Sequence, residues 1–492
     1  MLLSLLIICR RTFSIDIRIQ IISKLKILSL HYETIAIMTS EQETKITDEI
    51  LQGNLIQLMF KLSIPGILGM LLIGLNPFFD ALFAGRLIGE NALAAISLAL
   101  PLTTIVVGCA LLVGIGSASV LSRAIGAGDI KTQSNIFGTF TILSLIISFF
   151  ITILGYSLGE QLISFMGGEG EVASLGSEYF KTYMLGSVFF VLAVGSSQLI
   201  KSEGKIGLAT IFAAISVLTN TILNPLFVGV FHWGIQGIAL ATIVANFVYA
   251  TGNFTYFLSG KSSTPAQLKK LTLSVDLLSP ILSVGVSVLI MEVMTVVQQV
   301  VIFKSIAYYG TDTDIAFAGA TLNLYSLAVI PVYGFVQALQ PVIGINYGSR
   351  NHNRMKKAYF IFGIGGTILL SIIWLPLQLY PATFLSWLLP DVAFTANDLL
   401  NFRIVTILLP ILSFVFCSIT LFQSIGNGKT AGIIVVARQV FLFVPVVLIL
   451  PLFIGINGIY YSLTAVDILV SLIVALFTWM ELERLQLQIL AK

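Results

Sequence analysis

The chain has 492 residues, of which 57% are hydrophobic and only 10% charged. Soluble domains carry about 25% charged residues, so an ordinary globular protein is excluded. The net charge of +3 says little, because in such a chain the position of each charge matters more than the sum, and no nucleic-acid partner is expected. Cys9, Cys109 and Cys417 are scattered, as are His31, His232 and His352, which leaves no disulfide framework, zinc spacing or His-based metal enzyme.

Residues 1–54 read as a cytoplasmic N-terminal tail. Its opening "MLLSLLIICRR" places the apolar stretch before the positive charges, the reverse of a secretory signal. Residues 1–37 fit either an interfacial amphipathic helix or a segment upstream of a native start at Met38. Twelve apolar runs follow, at 62–86, 92–121, 133–158, 177–200, 206–230, 234–258, 277–304, 316–346, 357–380, 401–424, 431–453 and 456–480. About 20 residues of helix cross a hydrocarbon core of roughly 30 Å. The expected fold is an all-α polytopic membrane protein with twelve transmembrane helices in two six-helix lobes. The lobes are 55–258 and 277–480, joined by the polar linker 259–276 and followed by a cytoplasmic end, 481–492.

Loop charges alternate. Arg123 and Lys131, Lys201 and Lys205, Lys261, Lys269 and Lys270, Arg350 to Lys357, and Lys429 follow even-numbered runs. Glu90, then Glu160, Glu169 and Glu171, then Asp312 and Asp314, then Asp391 and Asp398 follow odd-numbered ones. The positive-inside rule then puts both termini in the cytoplasm.

The halves repeat. Gly114 pairs with Gly334, Gly128 with Gly348, "GIQGI" (234–238) with "GINGI" (455–459), and Gly204-Lys205 with Gly428-Lys429. An even number of spans per copy keeps both copies in one orientation, with a substrate path between lobes. "NPFFDALFAGR" (76–86) raises a sharper question, because Asp80 lies in an apolar run, with Pro77 close by, and an acid there is functional by default. The competing reading is a structural acid satisfied by neighbouring Asn and Thr groups. Asp467 and Tyr325 are weaker candidates of the same kind.

"FFDALFAGRLIGENALAAISLALPL", "GIGSASVLSRAIGAGD" and "IKSEGKIGLATIFAAISVLTNTILNPLFV" resemble, in order, blocks of the multidrug and toxin extrusion (MATE) family, over about residues 55–480. The resemblance implies a two-lobed exporter of amphipathic, often cationic small molecules, antiporting them against H⁺ or Na⁺. The expected setting is the lipid bilayer of a bacterial inner (plasma) membrane, with no cofactor; the chain is read as functional as a monomer, and the sequence leaves its oligomeric state open. The resemblance also implies a cation site at Asp80, Asn220, Asn224 and Thr242, and a helix-bending proline at Pro65. Asn220 and Asn224 lie i, i+4 on one helix face. Many relatives carry a carboxylate where Asn224 stands, so one formal charge remains and H⁺ is favoured over Na⁺. Glu292 matches a seventh-span acid whose tenth-span Asp partner is missing here, which leaves it to bind a cationic substrate or a proton. A hydrogen bond to Gln298, Gln299 or a neighbouring helix is its structural alternative.

A lipid-linked oligosaccharide flippase of the same broad superfamily is the main alternative, although it should hold more cations within its spans. A major-facilitator transporter would need a basic doublet that "SRAIGAGDIKTQ" lacks. An intramembrane protease or an ATP-driven pump would need a nucleophile, metal or Walker motif, and none is present, so an enzyme is not expected.

Overall fold

Apolar runs this long bury their backbone polar groups only by coiling, since hydrocarbon offers no hydrogen-bond partner. The computed structural model accordingly folds helix after helix over the residues it describes, 45–264, 271–390 and 392–490. The readings made for residues 1–37, Lys269, Lys270 and Asp391 lie outside the described residues.

Six helices form the first lobe: α1 (Leu55–Leu87), α2 (Glu90–Ala127), α3 (Ile130–Phe165), α4 in two pieces (Gly170–Leu185 and Ser187–Ser202), α5 (Ile206–Val230) and α6 (Gly234–Leu258). The second lobe holds α7 (Val275–Tyr309), α8 (Asp312–Gly348), α9 (His352–Leu379), α10 (Ala396–Ser424), α11 (Gly428–Ile454) and α12 (Asn457–Leu490). Side-chain caps start several of them. Asn54, Asp129, Asn351 and Asn427 each accept a backbone N–H of the first turn, satisfying groups the helix leaves free.

Three features differ from the expected pattern. The fourth run is not one straight helix, because it bends by 58° around Gly186. Gly186 is pressed against Ile243 of α6, where an added Cβ would meet the Ile243 side chain at 2.2 Å. An extra helix, Pro381–Leu388, follows α9, with proline in its first turn and exposed Trp387 packed edge-on against Phe384. Helix α11 widens to π-helical winding over Ala437–Phe443, and α5 does so over Leu226–Val230.

The repeat is real, but three of the expected pairings need correcting. Gly204 (φ +81°) corresponds to Gly426 (φ +83°), not Gly428, because both take the left-handed conformation that ends a helix. Likewise Gly128 (φ +66°) corresponds to Arg350 (φ +60°), not Gly348, and Asp129 and Asn351 then cap the next helix in each copy. Gly114, on the same unbroken helix as Gly128, then corresponds to Val336, not Gly334, so matching glycines by sequence alone misplaced all three by two residues. The Gly234–Gly455 pairing stands.

The lobes meet through α1 against α8 and α2 against α7. A Cβ on Gly66 would lie 2.4 Å from the Gly334 carbonyl oxygen, and one on Gly285 would lie 2.1 Å from that of Leu112. Backbones can approach this closely only where side chains are absent. Hydrogen bonds also cross this seam, from Gln340 Nε2 to Ser122 Oγ (3.1 Å) and from Lys201 Nζ to Gln337 Oε1 (2.8 Å). These contacts lie in the half of the bundle that leads to the basic loops. Large apolar side chains such as Ile64, Leu68, Phe149 and Ile372 point outward, as a lipid-facing surface requires.

Candidate functional site

The four residues expected to form one site do converge, from three helices of the first lobe. Asn220 and Asn224 stand one turn apart on α5, Asp80 comes from α1 and Thr242 from α6, and all four are buried. Asn220 Nδ2 (3.1 Å) and Asn224 Nδ2 (2.8 Å) both donate to Asp80 Oδ1, while Thr242 Oγ1 donates to Asp80 Oδ2 (3.0 Å). Asn224 Nδ2 also donates to Asn220 Oδ1 (3.1 Å), which ties the two amides together. The carboxylate is therefore met by neutral donors, and among the described residues no Lys or Arg pairs with it. Such a group can take up a proton or a small cation, since nothing else offsets its charge.

Asp80 and Thr242 line a cavity of about 240 Å³ in the first lobe, together with Tyr179, Tyr183 and Lys201. Asn76 also lines it, one turn before Asp80 on the same face of α1, and sequence reasoning missed it. Among the described residues, the Oδ1 atoms of Asn76 and Asn224 are buried without a hydrogen-bond partner, which leaves one free acceptor on a cavity-lining residue and one within the cluster. Pro65 lies within the continuous α1 helix, where its carbonyl oxygen accepts from Thr210 Oγ1 of α5 (2.8 Å). The missing amide of Pro65 frees a carbonyl one turn earlier.

Among the described residues, the second lobe has no copy of this cluster. The stretch of α11 matching Asn220 to Asn224 is Leu442–Val446, wholly apolar. Glu292 stands apart from the Asp80 cluster, on α7 at the seam with α2, where its Cβ would come within 3.1 Å of a Cβ on Gly108. Among the described residues, its structural alternative, a hydrogen bond to Gln298, Gln299 or a neighbouring helix, is not made. Gln298 Oε1 instead accepts from Gln439 Nε2 of α11 (2.8 Å). Asp467 and Tyr325 line one small cavity of about 60 Å³ with Arg438 and Gln439. Arg438 Nη2 donates to Asp467 Oδ1 at 2.8 Å. Arg438 is the residue the sequence reading overlooked, and it lies in the π-helical turn of α11. A lone arginine inside "IIVVARQVFLFV" carries the same signal that singled out Asp80.

A family model described as MatE matches residues 65–226 and, a second time, residues 286–449. The chain is 25% identical over 430 residues to the multidrug export protein MepA of Staphylococcus aureus (strain MSSA476), covering 87% of this chain and 94% of that one. It is 25% identical over 421 residues to MepA of Staphylococcus haemolyticus (strain JCSC1435), covering 84% and 90%. Its fold is similar to the crystal structure of MATE in the bent conformation, with a TM-score of 0.85, 22% identity, and 90% and 98% of the two chains covered. An outward-facing multidrug resistance MATE transporter of the MOP superfamily gives a TM-score of 0.81 at 22% identity, covering 89% and 98%.

Proposed function

The chain belongs to the MatE family, and on that premise we propose that it is a secondary-active exporter of amphipathic small molecules, driven by inward proton flow through Asp80. The observation that carries this reading is a buried carboxylate, held only by neutral donors, on the wall of a cavity large enough for part of a drug-sized molecule. The named relatives are multidrug export proteins, which supports the same class of cargo. The alternating loop charges support a cytoplasmic position for both termini and for the basic loops. The seam at Gly66–Gly334 then closes the cytoplasmic side, and the cavity is reached from outside.

The donor set supports proton coupling. Ionised Asp80 accepts three hydrogen bonds, whereas protonated Asp80 must itself donate one. Rotating the Asn224 amide turns its unpaired Oδ1 towards that new donor, which changes how α1 is tied to α5. With Asn224 uncharged, the site holds one formal negative charge, a weak field for a cation that must shed its water. The carboxylate thus exchanges its proton with one side of the membrane in each state, and the lobes rock around it. A flippase of lipid-linked oligosaccharides would need a cluster of cations for a pyrophosphate, and this cavity has one lysine.

Reconstitution into proteoliposomes tests the reading, with a pH gradient and a sodium gradient imposed separately. Export of a fluorescent amphipathic cation should follow the pH gradient alone. Export driven by sodium without a pH gradient would overturn the choice of ion, and no gradient-driven export at all would overturn the function.

A further inference from the structure

Lys201 ends the second piece of α4 and is only 7% exposed, yet no carboxylate pairs with it among the described residues. Its one hydrogen bond goes to a neutral acceptor, Gln337 Oε1 of α8, at 2.8 Å. The nearest acid in sequence, Glu203, is already committed. It accepts from Tyr256, from the hydroxyls of Ser263 (2.9 Å) and Thr264 (3.0 Å), and lies 4.0 Å from Lys205. An ammonium has three donors, so Lys201 has two to spare. It lines the same cavity as Asp80, and its bond to Gln337 crosses from one lobe to the other.

A buried charge is tolerated when an opposite charge meets it, and among the described residues no carboxylate pairs with Lys201. A purely cationic cargo would leave that ammonium unmatched. Building on the exporter reading, we propose that Lys201 recognises an acidic substituent of the cargo, so that the cavity takes amphipathic molecules bearing a carboxylate or similar oxyanion, zwitterions included. The incoming acid competes with Gln337 for the ammonium. Binding therefore loosens one of the hydrogen bonds that hold the lobes together at the basic-loop end, which links recognition to opening.

The test compares a rhodamine bearing a free carboxyl with its methyl ester, a pair that differs only in the acid. Binding to the full-length reconstituted protein is read by fluorescence anisotropy, and export in proteoliposomes under a pH gradient. Wild type should bind the acid about tenfold tighter than the ester, the size of one charge-assisted hydrogen bond. Lys201→Gln should bind both dyes equally, at the ester's affinity, while Lys201→Arg keeps a preference for the acid. Gln337→Ala, which frees the ammonium, should tighten the acid and leave the ester unchanged, and it decides the matter if Lys201→Gln fails to fold. Equal binding of the two dyes by a wild type that exports both would overturn this proposal alone. So would a Lys201→Gln protein that keeps the preference or loses both dyes alike, or a Gln337→Ala protein with unchanged affinity for the acid. If wild type exports neither dye, the exporter reading falls and this proposal falls with it.

Discussion

Asp80→Asn separates folding from coupling, because the amide keeps the shape of the carboxylate and removes its charge. Hydrogen bonds to a charged group contribute about 1.5–3 kcal/mol and neutral ones about 0.5–1.5 kcal/mol. With three bonds at 2.8–3.1 Å, the substitution forfeits about 3 kcal/mol of charge assistance. It also removes the desolvation penalty of a buried ion, several kcal/mol in the opposite direction. The geometry permits the exchange. Oδ1 still accepts from Asn220 and Asn224, and the Thr242 hydroxyl can turn its hydrogen to the Ile238 carbonyl (3.2 Å) and accept from the new amide. The net change in stability should stay within about 2 kcal/mol. Export should nevertheless fall at least about tenfold, since the group that takes up and releases the proton is gone. Thermal melting and gradient-driven dye export, measured on the same reconstituted protein, read the two effects apart. Asp80→Glu should keep partial export, because a titrating group survives at a shifted position. An Asp80→Asn protein that exports at the wild-type rate under the same gradient would show that Asp80 only holds helices together.

Asn224→Asp adds a second carboxylate beside Asp80, and export should become responsive to a sodium gradient imposed at constant pH; an unchanged ion dependence would argue against the charge-count reasoning. Gly66→Ala places a methyl group 2.4 Å from the Gly334 oxygen, which should cost about 1–3 kcal/mol and lower the melting temperature as the seam is forced apart. Asp467→Asn weakens the pair with Arg438, whose side chain is 30% exposed. A loss of about 1–3 kcal/mol is expected after allowing for that solvent access, and replacing both residues with leucine should recover most of it, as read by thermal melting. Single cysteines placed at Glu169 should react with an impermeant reagent added to intact cells, and those at Arg354 should not; the reverse pattern would invert the orientation.

What the sequence determined by itself was whatever depends on short stretches of chain. Twelve runs long enough to cross a bilayer, the alternation of basic and acidic loops, and the i, i+4 placement of Asn220 and Asn224 follow from helix geometry and charge, so they are legible without a fold. The convergence of Asp80 with those amides and Thr242 was legible only through the family resemblance, since 140 residues separate Asp80 from Asn220. Tertiary structure decided the rest. The bend at Gly186 lies against Ile243 of another helix, where no Cβ would fit, and the run "TYMLGSVFF" does not encode that contact. Arg438 finds Asp467 across a helix pair, and Lys201 finds Gln337 across the seam between lobes, 136 residues away. Which buried polar group meets which partner, and which is left without a counter-charge, depends on how faces of distant helices pack. Local periodicity carries no record of that packing, and the state of Lys201 is therefore visible only once both lobes are in place.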